Sequence, residues 1–231
     1  MSPILCARVI AIMLFASLTV AGSAAAGTMT AGANQSDQTH VNENHSFELL
    51  DGIILDGSNL QRTDFTGTSF LGASFDISLA SGNRTDLRRA VLDAAIVSGA
   101  TFVGARMNRV SGVGLVAVGT SFIGANLARA NLSGATLTGA VLNTARLRRV
   151  NLAGADLTNV RLFGTDLRNA TNLNSATWTG AQYDLLTLFP AGFDPVAAGL
   201  LLDEPGHVLL MFAGLGGLVL YGRGRRVSGL D

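Results

Sequence analysis

The chain is short of the usual tools of covalent and metal chemistry. Of its 231 residues one is cysteine, Cys6, which excludes a disulfide framework and a cysteine-based zinc site. Three histidines, one tryptophan and two tyrosines leave few side chains for acid–base or nucleophilic catalysis. Lysine is missing altogether. All sixteen basic residues are arginine, and sixteen acidic residues bring the net charge to zero. That balance excludes a generally basic nucleic-acid binder and a uniformly acidic DNA mimic. Hydrophobic residues make up 48% and charged ones 14%, so the chain is no disordered polyelectrolyte. The length suits one domain with short extras.

Both ends read as address labels. Residues 1–26 have the order of a secretory signal peptide: Arg8, the apolar run 9–20, then Ala24, Ala25 and Ala26 for cleavage. The run is too short to span a bilayer. Cleavage there removes Cys6 and leaves a mature chain without thiols, which suits an oxidising compartment. At the other end, Glu204-Pro205 is followed by a mostly apolar stretch, 208–221, and then by Arg223, Arg225 and Arg226. The arginines would stop transfer on the cytoplasmic side. This order resembles the PEP-CTERM sorting tail of Gram-negative bacteria, with Asp203 where the motif's first proline would stand. The resemblance implies signal peptidase and an exosortase-like membrane protease as partners. It also implies export to the cell surface or medium, with membrane contact through the 203–226 segment. A plain membrane anchor is the alternative. Residues 227–231 are a short tail.

The polar, Asn/Gln/Thr-rich stretch 27–46 reads as a flexible linker. A five-residue pattern follows, with a large apolar residue at position i and a small one at i−2. From Leu87 to Leu167 one frame gives seventeen centres, of which fifteen are large and apolar, including Leu92, Phe102, Met107, Phe122, Leu127 and Leu147. An earlier frame runs Leu55, Leu60, Phe65, Phe70, Phe75; a later one, shifted by a residue, runs Leu173, Trp178, Tyr183. Period five fits neither standard element. On a helix it advances each centre by ~500° and scatters the leucines around the axis. On a straight strand the odd period sends successive centres to opposite faces. One core requires a corner every five residues. Four such steps close a square coil of about twenty residues, with glycine at many i+2 positions (Gly99, Gly104, Gly124, Gly134) making the corners.

Stretches such as Ala125-Asn126-Leu127 and Ala155-Asp156-Leu157 resemble the A-(D/N)-L-x-x motif of the pentapeptide-repeat family. The resemblance implies an all-β protein, a right-handed quadrilateral β-helix over 47–183, with i and i−2 inside. About 6.5 coils give a rod roughly 30 Å long. At Gly112 and Ala117 the centres are small, but Val110 and Leu115 at i−2 are enlarged, so volume is conserved and the coil is read as continuous. The break at 79–84 has no such compensation and is read as a two-residue insertion or bulge. Residues 184–202 read as a cap whose Phe189 and Phe193 cover the last coil, with Pro190 and Pro195 blocking further pairing. Phe47, Leu49 and Leu50 are placed at the start of the other end.

In a twenty-residue coil, residues twenty apart stack. Arg89, Arg109, Arg129 and Arg149 are the four arginines at i+2 in the long frame, and each is twenty from the next. They are expected to form a ladder along one edge. Arg88, Arg148 and Arg168 at i+1 and Arg106 and Arg146 at i−1 share that face, opposed there by Asp86 and Asp166. Such a row of guanidinium forks suits carboxylates, sulfates or phosphates. Acidic exopolysaccharide or lipopolysaccharide is the expected ligand outside a Gram-negative cell; a merely solvated face is the alternative. His40 and His45, near Asp37 and Glu43, fall in the expected linker, where two histidines five apart could touch a metal but are read as solvated, and His207 lies by the sorting tail, so no catalytic pair, no metal and no cofactor is expected, and no enzyme. Asp64, Asn126, Asn131, Asn151 and Asp156 recur at i−1 and read as outward hydrogen-bonding positions. Some members of the resembled family bind type II topoisomerases as DNA mimics. Here the acids cluster only early and none occurs over 94–155, so that reading ranks second and no nucleic acid is expected. An anchored scaffold without a ligand is a further alternative. Coil ends and flat sides also allow a homodimer.

Overall fold

The computed structural model describes residues 29–203; the signal-peptide reading over 1–26 and nearly all of the sorting segment, 204–231, lie outside them. Among the described residues the chain winds as a solenoid in which each side of each coil pairs in parallel with the coil above. Asn126 pairs with Arg146, Asn131 with Asn151, Thr136 with Asp156 and Val141 with Arg161, each twenty residues on. Four pentads therefore make one coil.

Each pentad is one extended pair followed by one turn. In the pentad of Leu127, the Asn126 N–H donates to the Ala105 carbonyl of the coil below at 2.9 Å. The Leu127 N–H donates to the Arg146 carbonyl of the coil above, also at 2.9 Å. The Ala130 N–H then donates back to the Leu127 carbonyl at 3.0 Å, closing a four-residue turn. The backbone is thus satisfied without long strands. Among the described residues a single pair of strands is longer than one bridge, β1 (Gln182–Tyr183) with β2 (Leu201–Leu202), also parallel.

The core is the stack of i and i−2 side chains. Leu87, Leu92, Val97, Leu142, Leu147, Leu152, Leu157 and Leu162 are all 0% exposed, and the alanines at i−2 leave them room. Phe65, Phe70, Phe75, Phe102 and Phe122 form an unbroken aromatic chain, with neighbouring ring centroids 4.5–5.1 Å apart. At the small centres the ladder is continuous: Ser111 pairs with Asn131 and Val116 with Thr136. Val110 and Leu115 are buried, and a Cβ added to Gly112 would sit 3.0 Å from Leu132 Cδ2. The space that glycine leaves is already filled.

Three expectations are corrected. First, the coil starts earlier than residue 47. Asn34 pairs with Ile54, Thr39 with Asn59 and Asn44 with Asp64, so residues 34–46 of the expected linker are coil, not linker. Their polar inward positions hid them from a pattern defined by leucine. Phe47 and Leu49 do not start the core; both are exposed, while Leu50 is buried. Second, the break at 79–84 is larger than two residues. Pairing jumps from a spacing of 20 (Asn44 with Asp64) to 27 (Asn59 with Asp86), so seven residues leave the coil. They turn back on themselves through an antiparallel Ile77–Arg84 pair. Asp37 ties them down by accepting from Ser78 Oγ at 2.8 Å and Ser81 Oγ at 2.5 Å. Third, one column of pairs runs Asn34, Ile54, Ser74, Thr101, Ser121, Val141, Arg161, Gln182 and Leu201. Nine levels at about 4.8 Å make the rod nearer 40 Å than 30 Å long.

The later one-residue frame shift is a short 3-10 helix, Leu173–Ser175. Phe189 and Phe193 pack on the last coil as expected, with Phe193 5.8 Å from Trp178 and Phe189 5.4 Å from Tyr183 between ring centroids. No helix among the described residues is long and apolar enough to cross a membrane.

Candidate site: an arginine column

The i+2 residues of one side are brought into register by the backbone itself. The Arg89 N–H donates to the Asn108 carbonyl, Arg109 to Ala128, Arg129 to Arg148 and Arg149 to Arg168, at 2.9–3.2 Å. In a parallel ladder such a bond places each donor beneath the residue after its acceptor. Arg89, Arg109, Arg129 and Arg149 are therefore stacked, as the spacing requires, and all four are exposed. Rungs lie about 4.8 Å apart.

The column has a further rung. The Arg62 N–H donates to the Arg88 carbonyl at 3.1 Å, which sets Arg62 beneath Arg89. Its number differs from Arg89 by 27, not 20, because the excursion intervenes. Asn42 lies below it and Asn169 closes the top. Arg106 and Arg146 stand in the adjacent i−1 column between Asp86 and Asp166, joined through Asn126. With Arg88, Arg148 and Arg168 at i+1, the face carries ten arginines against two aspartates.

The two aspartates sit at opposite ends of the stripe and are already engaged. Asp86 pairs with Arg88 at 2.8 Å and more loosely with Arg106 at 3.8 Å. Asp166 pairs with Arg168 at 2.8 Å and with Arg148 at 3.8 Å. The hydrogen bond from Arg168 holds the Asp166 carboxyl below its ordinary range, and the same contact raises Arg168. Arg89, Arg109, Arg129, Arg146 and Arg149 form no ion pair among the described residues. At the lower end an open hollow of about 440 Å³ is lined by Asn59, Gln61, Arg84, Asp86, Arg88 and Arg106, so the excursion adds Arg84 to the face.

The backbone at these arginines is unusual. Arg89, Arg109 and Arg129 have φ 63° and Arg149 60°, the left-handed conformation of the second central residue of each turn. The other sides mostly place glycine there, as at Gly99, Gly104, Gly114, Gly119, Gly124 and Gly134. A residue with a Cβ pays ~1 kcal/mol or more for this conformation. Arg109→Gly should therefore raise stability by about 0.5–1 kcal/mol in chemical denaturation, while removing one rung. A loss of stability would show that the Arg109 side chain holds the fold together.

His40 and His45 are not in a solvated linker. They occupy inward i positions of the first coil and are 5% and 4% exposed. Glu43 Oε2 accepts from both, 2.8 Å from His40 Nδ1 and 2.9 Å from His45 Nε2; His45 Nδ1 lies 3.1 Å from Glu48 Oε2. Burial disfavours a charge on His45, but its hydrogen bonds to Glu48 and Glu43 outweigh that and raise its pKa. The expected sorting residues Glu204, Pro205, Arg223, Arg225 and Arg226 lie outside the described residues.

These features define a parallel β-solenoid built on a five-residue unit. The family described as Pentapeptide repeats matches in eight copies, over residues 50–76, 83–109, 116–143, 130–169 and 144–181. The chain belongs to the pentapeptide-repeat family. None of the curated proteins matches it. Among solved structures it is similar to QnrB1, a plasmid-mediated fluoroquinolone resistance protein, at 18% identity over 66% of this chain and 91% of that one, with a TM-score of 0.42. It is also similar to the pentapeptide repeat protein alr5209 of Nostoc PCC 7120, at 34% identity over 51% of this chain and 84% of that one, TM-score 0.34. A third is HetL of Nostoc sp. strain PCC 7120, involved in heterocyst differentiation regulation, at 22% identity over 69% and 78%, TM-score 0.28. None is close enough in geometry to lend this chain its activity.

Proposed function

We propose that this protein is a non-enzymatic, exported binding module whose arginine column holds acidic polysaccharide at the cell surface. The observation that carries the reading is the column itself: arginines one rung apart, without ion pairs among the described residues, at a backbone position where glycine is relaxed. A repeating polyanion presents its charges in a row, and a rod presents forks in a row, so many weak contacts add along one ligand. Arg89, Arg109, Arg129 and Arg149 form the central contacts, with Arg106, Arg146 and Arg148 beside them. We take the coil to be right-handed and quadrilateral, as the family resemblance implies; four turns per twenty residues support it. The order of residues at both ends supports export, signal-peptidase cleavage and sorting by an exosortase-like protease. A topoisomerase-binding DNA mimic requires a dense acidic face, which the basic middle of this rod lacks.

The test is retention of the purified protein on immobilised polysaccharide. A uronate-bearing polymer should retain it and release it with added salt, and an uncharged glucan should let it pass. Equal retention on both, or none on either, would overturn the reading.

A further inference from the structure

The two histidines that the repeat buries at its first coil sit beneath apolar side chains, Leu60 and Leu87 over His40 and Phe65 and Leu92 over His45. His40 and His45 occupy the levels beneath Leu60 and Phe65, and Glu43 and Glu48 those beneath Thr63 and Thr68. Buried histidines need partners: Glu43 meets one nitrogen of each ring, and the other nitrogen of His40, Nε2, is buried with no hydrogen bond among the described residues. One donor atom from each of His40, Glu43 and His45 lies within 4.8 Å of the other two.

We propose that His40, Glu43 and His45 form a binding site for a divalent cation of the zinc class at the first coil of the rod. Two imidazoles and a carboxylate are the donor set that Zn²⁺ accepts in three-ligand sites, with a fourth position left for water or a further side chain. The size fits. Bonds of about 2.0–2.1 Å to a tetrahedral ion set donors about 3.3 Å apart. Glu43 Oε2 stands 2.8 Å from His40 Nδ1 and 2.9 Å from His45 Nε2, and the three donor atoms all lie within 4.8 Å of one another, so they flank one ion-sized position. The charge fits as well: Glu43 and Glu48 bring two carboxylates, and the protons that His40 Nδ1 and His45 Nε2 present to Glu43 leave to solvent as the ion takes their place.

The ligands are held in place before any ion arrives. The His40 N–H donates to the Asn59 carbonyl at 2.9 Å and the His45 N–H to the Asp64 carbonyl at 2.8 Å. Thr63 Oγ1 donates to the His40 carbonyl and Thr68 Oγ1 to the His45 carbonyl. The His45 ring stacks on Phe65 with centroids 5.7 Å apart, and the His40 ring stands edge-on to it at 5.8 Å. Glu48 bonds the far nitrogen of His45, the place of an orienting outer-shell carboxylate. The ion would close the first coil with metal bonds where the other end closes with Phe189 and Phe193.

The test is calorimetric titration of the metal-stripped full chain with Zn²⁺, together with thermal melting with and without Zn²⁺. One tight site and a raised melting temperature are expected. Glu43→Gln, which keeps size and a hydrogen-bond acceptor, should weaken binding by more than the roughly 10–100-fold that outer-shell partners command, while Glu48→Gln should fall within that range. Absence of tight Zn²⁺ binding, or equal affinity in Glu43→Gln and the parent, would overturn the assignment. Circular dichroism of Glu43→Gln confirms that it is folded when compared.

Discussion

Phe102→Ala is expected to cost about 3–5 kcal/mol in equilibrium denaturation. The ring is 0% exposed and lies between Phe75, 4.5 Å away by centroid, and Phe122, 5.1 Å away. Truncation leaves a cavity that neighbouring coils cannot collapse into, because each is fixed to the next by parallel pairs on every side. It also removes two stacked aromatic contacts, each worth ~0.5–1.5 kcal/mol beyond area. In a one-dimensional stack the loss falls on nearest neighbours, so a split transition is the expected signature. The comparison is Leu79→Ser at the tip of the excursion, where Leu79 is fully exposed and the change should stay within about 0.5 kcal/mol. Similar effects at both positions would mean that position i is not the core.

Reversing two central rungs, Arg109→Glu with Arg129→Glu, should lower affinity for a uronate-bearing polysaccharide on the order of 100-fold. A hydrogen bond to a charged group is worth ~1.5–3 kcal/mol, and reversal adds repulsion between the new carboxylates and the ligand. Thermal stability should barely move, because both side chains are exposed and neither forms an ion pair among the described residues. That separation matters. Asp86 and Asp166 neutralise the ends of the stripe through Arg88 and Arg168, so the middle rungs carry the free charge. The same reversal at Arg161, outside the column, should weaken binding far less. Comparable losses at all positions would reduce the column to general basicity.

Much of this architecture was legible from one number, the period. Five residues between large apolar centres exclude a helix and a straight strand, and the spacing of Arg89, Arg109, Arg129 and Arg149 counts the sides of the coil. The continuity through Gly112 and Ala117 was legible as well, because close packing makes volume lost at one inward position reappear at the next. What escaped did so for definable reasons. A frame reports an insertion only by its remainder after division by five, so seven extra residues between Phe75 and Leu87 register as two, and Arg62, 27 residues before Arg89, falls outside the twenty-residue spacing of the column it belongs to. The first coil escaped because the pattern was defined by hydrophobicity. Asn34, Thr39 and Asn44 pair like any other rung, yet Gln35, His40 and His45 hold the positions that identify a repeat elsewhere. Polar residues at the end of a solenoid satisfy the same backbone geometry without the same side-chain chemistry.

The most direct measurement is the salt dependence of polysaccharide binding, compared between the parent and Arg109→Gln/Arg129→Gln. Each guanidinium that neutralises a ligand charge releases a counterion, so the logarithm of the binding constant should fall linearly with the logarithm of salt concentration. If the column binds as a unit, the double variant should bind more weakly at low salt and show a slope shallower by about two contacts. Superimposable lines for the two proteins would contradict it and leave the arginines as a solvated edge of the rod.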